Sequence, residues 1–470
     1  MALNAQKMAD KPALVYEDEM LDWAELWRRV QKASSQVGKY LRSKKQCVVA
    51  LLLTNSTDFV ASYLAVVHKG HIAFPIDPAY KKLEIDAMVE ELDPKIIITS
   101  KDYLGKLSKS DTPILLAEEL TNGDVEEQSL LRLEPDKQTI SLTFTSGTTG
   151  TPKVVPNTHS NQIWTIEVCS KVWSWTENDS LLISIPLSHW YGIVLGIGAS
   201  LYHGNTLYLL DQRFDPQKTL KLLASGKVTI YQHISILYQK LLEAKGDYDL
   251  SKVRLCISGG APLPPEVWRA FKRRFGKEIL ETYGSSETGR IAANRVGEKP
   301  VLGSPGKILP GVNMRFSKDN EVLIKSPGVF PGYYKNLRAT EAAFTEDGYF
   351  NTGDIGELKN KALFLKGRRQ EQIRRFGYTI SPRDVEWAMH QHKKVKDIYV
   401  MGHQRAGQPN DELIYFLVGD ISEQEVKDYC KTNMLFAWRP DKIILLSGLP
   451  RTRSGKAKIP EFKRLIGQQV

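Results

Sequence analysis

The chain has 470 residues, of which 42% are hydrophobic and 25% are charged, and this composition excludes collagen-like, disordered and very small proteins. At this length we expect about two to four domains. The 64 basic and 54 acidic residues leave a net charge of +10, which suits a polyanionic ligand. Nucleic acid is disfavoured, because charges of both signs are mixed along the chain without a long basic run.

The cysteines and the N-terminus both favour a cytoplasmic protein. The four cysteines lie far apart without a Cys-x-x-Cys pair, which predicts neither disulfides nor a zinc site. The first ten residues lack the basic and apolar regions of a secretory signal. Residues 181–210 contain no Asp, Glu, Lys or Arg, but a proline, two histidines and four glycines interrupt them. We therefore expect a buried core segment there and no stable membrane insertion.

Strand-like and helix-like segments alternate in the first part of the chain. A helix over residues 58–68 follows the capping residues Asn55 and Ser56, and strands are predicted at residues 47–53, 96–99 and 114–116. This alternation predicts an α/β fold in which helices cover largely parallel strands. From about residue 303 to 356, short strands and Gly/Pro turns predict a small β subdomain.

The pattern changes again after residues 367–370. A helix begins at Ser381-Pro382, strands follow near residues 398–401 and 413–418, and a second helix runs from a capping box of Ser422 and Glu425 to about Asn433. These elements can close a small α+β core of their own. We therefore predict two domains, residues 1–370 and 371–470, with the boundary at Gln370.

The segment from residue 142 to Lys153 carries the strongest chemical signal. A β-type run precedes hydroxyl residues and glycines, and a lysine closes the segment. Glycine lets backbone amides face an anion, hydroxyls add donors, and lysine supplies a point charge. The Gly-Lys-Ser/Thr of a Walker loop does not occur here. Composition alone leaves a phosphate loop and a flexible hairpin loop both open.

This segment resembles the phosphate loop of the adenylate-forming superfamily, which contains acyl-CoA synthetases, peptide-synthetase adenylation domains and luciferases. The other stretches of that family follow in family order, at residues 186–189, 258–262, 283–287, 349–354, 367–368, 377–378, 381–382 and 451–456. The resemblance covers nearly the whole chain and is closest to acyl-CoA synthetases. It implies a large N-terminal domain of layered α/β subdomains and a small, mobile C-terminal α+β domain.

The resemblance implies a reaction in two steps. A small-molecule carboxylic acid attacks the α-phosphorus of ATP to give an acyl-adenylate and pyrophosphate, and a thiol then displaces AMP. The implied cofactors are Mg²⁺, ATP and coenzyme A. Attack of one anion on another requires charge neutralisation and alignment rather than covalent help. The implied ATP-binding residues are Thr145, Ser146, Gly147, Thr148, Thr149, Gly150, Lys153, Gly260, Ala261, Pro262, Tyr283, Gly284, Ser286, Asp354 and Arg368.

Particular roles follow from the same resemblance. Tyr283 is expected to pack against adenine, Ser286 to contact the α-phosphate, and the pair of Asp354 and Arg368 to hold the ribose hydroxyls. The implied catalytic residues are Lys456, which bridges the attacking carboxylate and the α-phosphate, the magnesium ligand Glu287, Lys153, and His189 in the carboxylate pocket. The implied acyl and thiol positions are His189, Trp190, Gly259, Gly260 and Gly377.

The acid and the thiol acceptor are open to several interpretations. The segment around His189 lacks the aspartate that pairs with an amino-acid substrate, so a plain carboxylic acid is favoured. Glycines at 192, 196, 198, 259 and 260 beside aliphatic residues predict an apolar channel, typical of a fatty acid. The same glycines also suit close helix packing, and Trp190 with Tyr191 suits an aryl acid. Coenzyme A is the predicted acceptor, and an acyl carrier protein is the alternative.

Two further points complete the predictions. A non-catalytic adenylate or acyl-CoA binding protein is disfavoured, because such a protein does not need Lys153, Glu287, Asp354 and Lys456 together. Gln370 stands where relatives usually carry a charged residue, most often Asp, at the pivot between the domains. We still expect two orientations of the C-terminal domain, one that presents Lys456 and one that presents Gly377, because a few backbone torsions can absorb such a rotation.

Overall fold

The computed structural model describes residues 1–43, 45–108, 111–126, 130, 134, 138–145, 153–211, 213–376, 378–404, 410–452 and 455–467. The helices are α1 (Ala2–Lys7), α2 (Trp23–Tyr40), α3 (Thr57–His68), α4 (Lys82–Leu92), α5 (His159–Trp173), α6 (Trp190–Gly192), α7 (Ala199–His203), α8 (Pro216–Ala224), α9 (Ser235–Glu243), α10 (Pro265–Phe275), α11 (Leu337–Ala343), α12 (Pro382–Met389), α13 (Glu423–Asn433) and α14 (Ile459–Gly467). A π-helical stretch, Ile193–Gly198, joins α6 to α7. Short 3-10 helices lie at Lys101–Lys106, Ala117–Glu119, Arg369–Glu371 and Phe436–Trp438.

The strands alternate with these helices as an α/β fold requires. They are β1 (Pro12–Tyr16), β2 (Glu19–Asp22), β3 (Val48–Leu52), β4 (Ile72–Ile76), β5 (Ile96–Thr99), β6 (Ile114–Leu116), β7 (Thr139–Thr145), β8 (Lys153–Thr158), β9 (Ser180–Ile183), β10 (Thr206–Leu209), β11 (Ile230–His233), β12 (Leu255–Ser258), β13 (Ile279–Ser285), β14 (Gly289–Ala293), β15 (Gly306–Ile308), β16 (Asn313–Phe316), β17 (Glu321–Lys325), β18 (Phe350–Lys359), β19 (Ala362–Arg368), β20 (Ile373–Arg375), β21 (Tyr378–Ile380), β22 (Val395–Gln404), β23 (Asp411–Gly419) and β24 (Lys442–Leu445).

Two large sheets form most of the N-terminal part. The first has the strand order β6-β5-β3-β4-β7-β8 and is parallel except for the antiparallel pair β7 and β8, whose register places Thr145 opposite Lys153. The second has thirteen strands in the order β16-β17-β18-β19-β15-β14-β13-β12-β11-β9-β10-β1-β2. Its neighbours β11, β12 and β13 are parallel, so their carboxyl ends meet at one edge, where α/β proteins bind ligands.

Several local predictions are confirmed by these elements. Helix α3 begins after Ser56, whose hydroxyl accepts a hydrogen bond from the amide of Phe59. Residues 181–210 form β9, the helical stretch around Ile193–Gly198 and β10, and most of their apolar side chains are buried. Among the residues that the structure describes, every helix is too short or too polar to span a bilayer. The short strands predicted after residue 303 are present, and they pair antiparallel, but they continue the large sheet through β14 and β19.

The C-terminal elements close a separate core, as predicted. Strands β22, β23 and β24 form a three-stranded sheet, and α13 begins with the predicted capping box of Ser422 and Glu425. Two buried apolar clusters of this part draw their members only from residues 373–443 and 414–466. Gln370 lies in the 3-10 turn Arg369–Glu371, and we propose the domain boundary at this turn.

Candidate active site

Asp354 is the most tightly held carboxylate of the site. It lies on β18 opposite Arg368 of β19 and is only 4% exposed. The hydroxyl of Tyr283 donates to Asp354 Oδ2 at 2.5 Å, and Arg368 Nε lies 3.0 Å from Oδ1. Burial and the Asp354 charge raise the pKa of Tyr283 well above its usual value. The structure thus brings together the residues that the sequence assigned to the ribose and to adenine.

Glu287 lies in the turn between β13 and β14, beside a residue that the sequence did not single out. The amide of Phe330 donates to the Glu287 carbonyl at 2.7 Å, which ties this turn to the segment that carries Tyr333. Burial and the neighbouring Glu287 carboxylate raise the pKa of Tyr333. The Lys153 ammonium lies 4.6 Å from the centroid of the Tyr333 ring. Tyr333 therefore links a cation from one sheet to a carboxylate from the other.

Lys456 enters this cleft from the C-terminal domain. Its loop is closed by a hydrogen bond from the amide of Thr452 to the Lys456 carbonyl at 2.7 Å. A Cβ placed on Gly455 would lie 3.2 Å from Cγ2 of Ile236, so the loop packs directly on the N-terminal domain. The side chain keeps access to solvent, but protein atoms crowd its ammonium. This desolvation and the Arg368 charge lower the pKa of Lys456, while Glu287 and Asp354 oppose the shift.

The backbone after β12 is open on one side. Gly260 has a φ of 81°, a conformation that favours glycine. Among the described residues, a Cβ there would meet only Ile234 within 4 Å, whereas a Cβ on Gly259 would lie 3.0 Å from Cγ2 of Thr282. Ala261 is partly exposed and Pro262 exposed, so this strip is accessible to a ligand. Gly284 has a different role, since a Cβ would overlap the carbonyl of Gly289 across the β13–β14 ladder.

The predicted apolar channel is wrong for four of its five glycines, since Gly259 packs on Thr282 and three others are equally crowded. A Cβ on Gly192 would lie 3.3 Å from the backbone of Leu187, one on Gly196 would lie 3.1 Å from Ile183, and one on Gly198 would lie 3.0 Å from Ile166. These glycines face packed neighbours, which is the alternative that the sequence left open. They let the helical stretch that follows His189 approach the sheet and α5 closely.

The acyl side holds a charged residue that the sequence analysis missed. Arg290 on β14 is 2% exposed, and its guanidinium carbon lies 4.6 Å from the ring centroid of Tyr191 and 5.2 Å from that of Trp190. His189 precedes these rings as the residue that caps α6, with its amide donating to the Pro186 carbonyl at 3.1 Å. The available signal was an arginine inside the apolar run of β14, directly after the Tyr283–Glu287 motif.

Some predicted site residues lie outside the described residues. These are Gly377 and the phosphate-loop residues Ser146, Gly147, Thr148, Thr149 and Gly150. Ser286 is partly exposed in the same turn as Glu287. The described part of the chain contains no group of three or more His, Cys, Asp or Glu residues that could hold a metal. Glu287 alone still fits Mg²⁺, because this ion is commonly bound by one or two carboxylates together with substrate phosphates and water.

Comparison with known proteins defines the class. Residues 1–334 match the family described as AMP-binding enzyme, and residues 384–456 match the AMP-binding enzyme C-terminal domain. The chain therefore belongs to the AMP-binding enzyme family.

Individual relatives agree with this over nearly the full length. The 2-succinylbenzoate–CoA ligase of Listeria monocytogenes is 30% identical over 460 residues, which cover 96% of both chains. The mitochondrial malonate–CoA ligase ACSF3 of Homo sapiens is 26% identical, covering 96% of this chain and 89% of its own. The Bacillus subtilis O-succinylbenzoate coenzyme A synthetase, solved with ATP and magnesium, is 27% identical with a TM-score of 0.86 and 98% coverage of each chain.

These findings confirm several predictions. The fold is α/β with a large N-terminal and a small C-terminal domain, and the protein is an acyl-CoA synthetase of the AMP-forming type. ATP, Mg²⁺ and coenzyme A are confirmed as the cofactors at the level of the family. The predicted fatty-acid substrate is not confirmed, since the relatives are named for other acids.

Proposed function

We propose that the protein activates a carboxylic acid as its acyl-adenylate in the cleft between Lys456 and the β13–β14 turn, and then transfers the acyl group to coenzyme A. The main observation behind this proposal is that the Lys456 loop packs on the N-terminal domain, where Lys456 lies near Glu287, Asp354 and Arg368. A lysine there can approach the bond-forming atoms, whereas a lysine in solvent cannot.

The nucleotide end of the site suits a ribose. A carboxylate has about four lone-pair positions, and Asp354 uses part of them for Tyr283 and Arg368. The remaining positions can accept from the ribose hydroxyls, while Arg368 holds the carboxylate in place. The Tyr283 ring is fixed by its own hydrogen bond and can pack against adenine. We propose that Gly260, Ala261 and Pro262 border the base through their accessible backbone.

The reacting phosphates need positive charge around them. Lys153 and Lys456 supply ammonium groups from two different domains, and we propose that Ser286 and the segment 145–150 donate hydrogen bonds to the phosphates. Mg²⁺ held by Glu287 would neutralise part of the phosphate charge. Tyr333 lies against both the Lys153 ammonium and the Glu287 carboxylate, so it can help to position the two charges around the phosphates. Lys456 then holds the attacking carboxylate against the α-phosphate, a step in which charge stabilisation dominates the rate.

The second step needs a different arrangement. Lys456 fills the cleft in the orientation that the structure presents, so a thiol needs another path to the adenylate. We propose that the C-terminal domain turns at Gln370 and brings Gly377 to that path. Hinges require only a few backbone torsions to change, so the uncharged Gln370 is compatible with this rotation.

The proposal also concerns the identity of the acid substrate and of the thiol acceptor. Two relatives are named as CoA ligases, for 2-succinylbenzoate and for malonate, and this supports coenzyme A as the acceptor. Both of these acids carry two carboxyl groups. The predicted apolar channel was the main argument for a fatty acid. It no longer favours this substrate, because Gly192, Gly196 and Gly198 face packed neighbours. We also propose a cytoplasmic location, which is supported by the four cysteines, all free and three of them buried.

The test is acid-dependent exchange of pyrophosphate into ATP across fatty, aryl, dicarboxylic and amino acids. Exchange isolates the first step, and Lys456→Ala should lower it by about 100-fold or more, as expected for loss of a preorganised charge. Lys458→Ala is the matched control, because Lys458 is exposed and bonded to Glu461 at 2.9 Å. Both variants should still form thioester from supplied acyl-adenylate. Equal loss of the two steps in Lys456→Ala would contradict the role proposed for this lysine.

The acceptor is tested in the same preparation. Steady thioester formation with free coenzyme A supports the proposal. An adenylate that discharges only onto a holo-carrier protein would replace coenzyme A by that acceptor. Absence of exchange with every acid, from folded protein that binds ATP, would refute the proposed function and favour a binding protein.

A further inference from the structure

Arg290 is a buried cation without a counter-ion in the described part of the chain. The side chain is 2% exposed, and its Nε and Nη2 atoms have no hydrogen-bond partner among the described residues. A buried guanidinium normally pairs with a carboxylate, because an unpaired charge is strongly unfavourable in a buried position. The described part of the fold therefore supplies no anion to balance the charge of Arg290.

The groups that surround Arg290 do not provide that anion. The aromatic rings of Trp190 and Tyr191 lie against its guanidinium, and Cys169 of α5 is close enough to act on its charge. Burial raises the pKa of Tyr191 to about 12 and that of Cys169 to about 12, so both groups stay protonated and neutral near pH 7. The aromatic faces attract the cation, and the Tyr191 hydroxyl is close enough to interact with the guanidinium, but Nε and Nη2 keep no partner among the described residues.

The open donors lie beside the glycine strip of the active site. A Cβ on Gly259 would come within 3.5 Å of Arg290 Nη2. The next residue, Gly260, faces Ile234, and the same Ile234 lies 3.5 Å from a Cβ placed on Gly455, the neighbour of Lys456. Arg290 and Lys456 thus border the same short strip of backbone.

We propose that Arg290 binds a second carboxylate of the acid substrate, and that the substrate is a short dicarboxylic acid. This inference rests on the proposed function. One carboxylate of the acid is activated beside Lys456, and the other fills the position opposite the free guanidinium donors. Arg290 is then a specificity-determining residue, because an alkyl group at that position would leave the cation buried and unpaired.

The experiment compares matched acids in pyrophosphate exchange. Malonate, succinate and glutarate are each paired with the monocarboxylic acid of the same chain length. The wild-type protein should prefer at least one dicarboxylic acid by about 100-fold in kcat/KM, the size expected for a buried charge pair. Arg290→Met should lower this ratio about 100-fold, and Arg290→Lys should retain part of it.

Arg295→Met is the matched control. Arg295 follows β14, is only partly buried, and donates to the Ile308 carbonyl at 3.0 Å, so its loss should leave the ratio unchanged. Exchange that shows no preference for a second carboxylate, or a ratio that survives Arg290→Met, would overturn the inference while the proposed function stands. If Arg290→Met does not fold, the wild-type preference for dicarboxylic over monocarboxylic acids decides whether the site binds a second carboxylate.

A failure of the proposed function gives a different result. In that case no acid supports exchange, although the protein binds ATP. Binding then decides the inference: the dicarboxylic acids should raise the unfolding midpoint of the wild type and of Arg295→Met, but not that of Arg290→Met. Equal midpoint shifts in all these proteins, or no shift in any of them, would overturn the assignment of Arg290.

Discussion

Asp354→Asn tests the proposed nucleotide site, because the Asp354 carboxylate interacts with both Tyr283 and Arg368. Asparagine keeps the size of the side chain but replaces one acceptor oxygen by an NH₂ donor, which must face either the Tyr283 hydroxyl or the Arg368 guanidinium. Loss of a hydrogen bond to a charged group costs about 1.5–3 kcal/mol. The Arg368 side chain is 42% exposed, so loss of its ion pair adds no more than about 1 kcal/mol.

We therefore expect Asp354→Asn to lower the free energy of unfolding by about 1.5–4 kcal/mol. Urea denaturation, followed by tryptophan fluorescence, measures this value. Asp319→Asn is the control, because Asp319 forms an exposed ion pair with Arg369 at 3.0 Å, and its loss should cost less than about 1 kcal/mol. The KM for ATP should also rise in Asp354→Asn, since a ribose acceptor is lost, and it should not change in the control.

A double-mutant cycle separates the two partners. Tyr283→Phe removes the donor of the 2.5 Å hydrogen bond and should itself cost about 1–3 kcal/mol. In the double variant with Asp354→Asn, the two losses should overlap by about 1 kcal/mol or more, because they remove one shared interaction. Additive losses would refute the coupling, and wild-type stability together with a wild-type KM for ATP in Asp354→Asn would refute the assigned role of the pair.

Three other predictions test the domain contact, a buried histidine and the packed glycines. Trp387→Ala should slow adenylation but spare thioester formation from supplied adenylate. Trp387 packs on Gly303 of the other domain, and its indole carbons lie 2.7 Å from a Cβ placed on that glycine. Equal slowing of both steps would contradict this prediction. Burial lowers the pKa of His233 to about 3, so the unfolded chain binds a proton first as pH falls below about 6.5. Stability should therefore fall between about pH 6.5 and 3, and His233→Gln should flatten the denaturation profile; an equally steep profile would contradict the assignment. Gly196→Val should cost about 1–3 kcal/mol in denaturation experiments through overpacking against Ile183, 3.1 Å from the added Cβ; a neutral change would indicate open space.

Local features of the fold could be predicted because neighbours in sequence determine them. The strand at residues 96–99 was predicted at its observed bounds, since a short apolar run between turn residues suffices. The cap of α3 and the capping box of α13 involve groups only three residues apart. Such features require no knowledge of which elements meet in space.

The acyl side could not be predicted in the same way, because distant contacts determine it. A glycine leaves the same trace in a sequence whether it faces a cavity or a neighbouring side chain, and Gly196 meets Ile183 only after the helical stretch folds onto β9. Arg290 is similarly ambiguous, since a lone arginine in an apolar run is also common at a strand edge. Its significance depends on burial by Trp190 and Tyr191, which come from another element.

The position of Lys456 combines both kinds of information. Its motif made the lysine recognisable, but its position depends on contacts between the domains, such as that of Gly455 with Ile236. There burial of the ammonium lowers the pKa of Lys456, repulsion from the Arg368 charge adds to this shift, and the carboxylates of Glu287 and Asp354 oppose it. A polyanion between these groups relieves that repulsion, so ATP binding and the closed orientation of the C-terminal domain should stabilise each other. Bound ATP should thus favour the orientation of the C-terminal domain that brings Lys456 to the N-terminal domain.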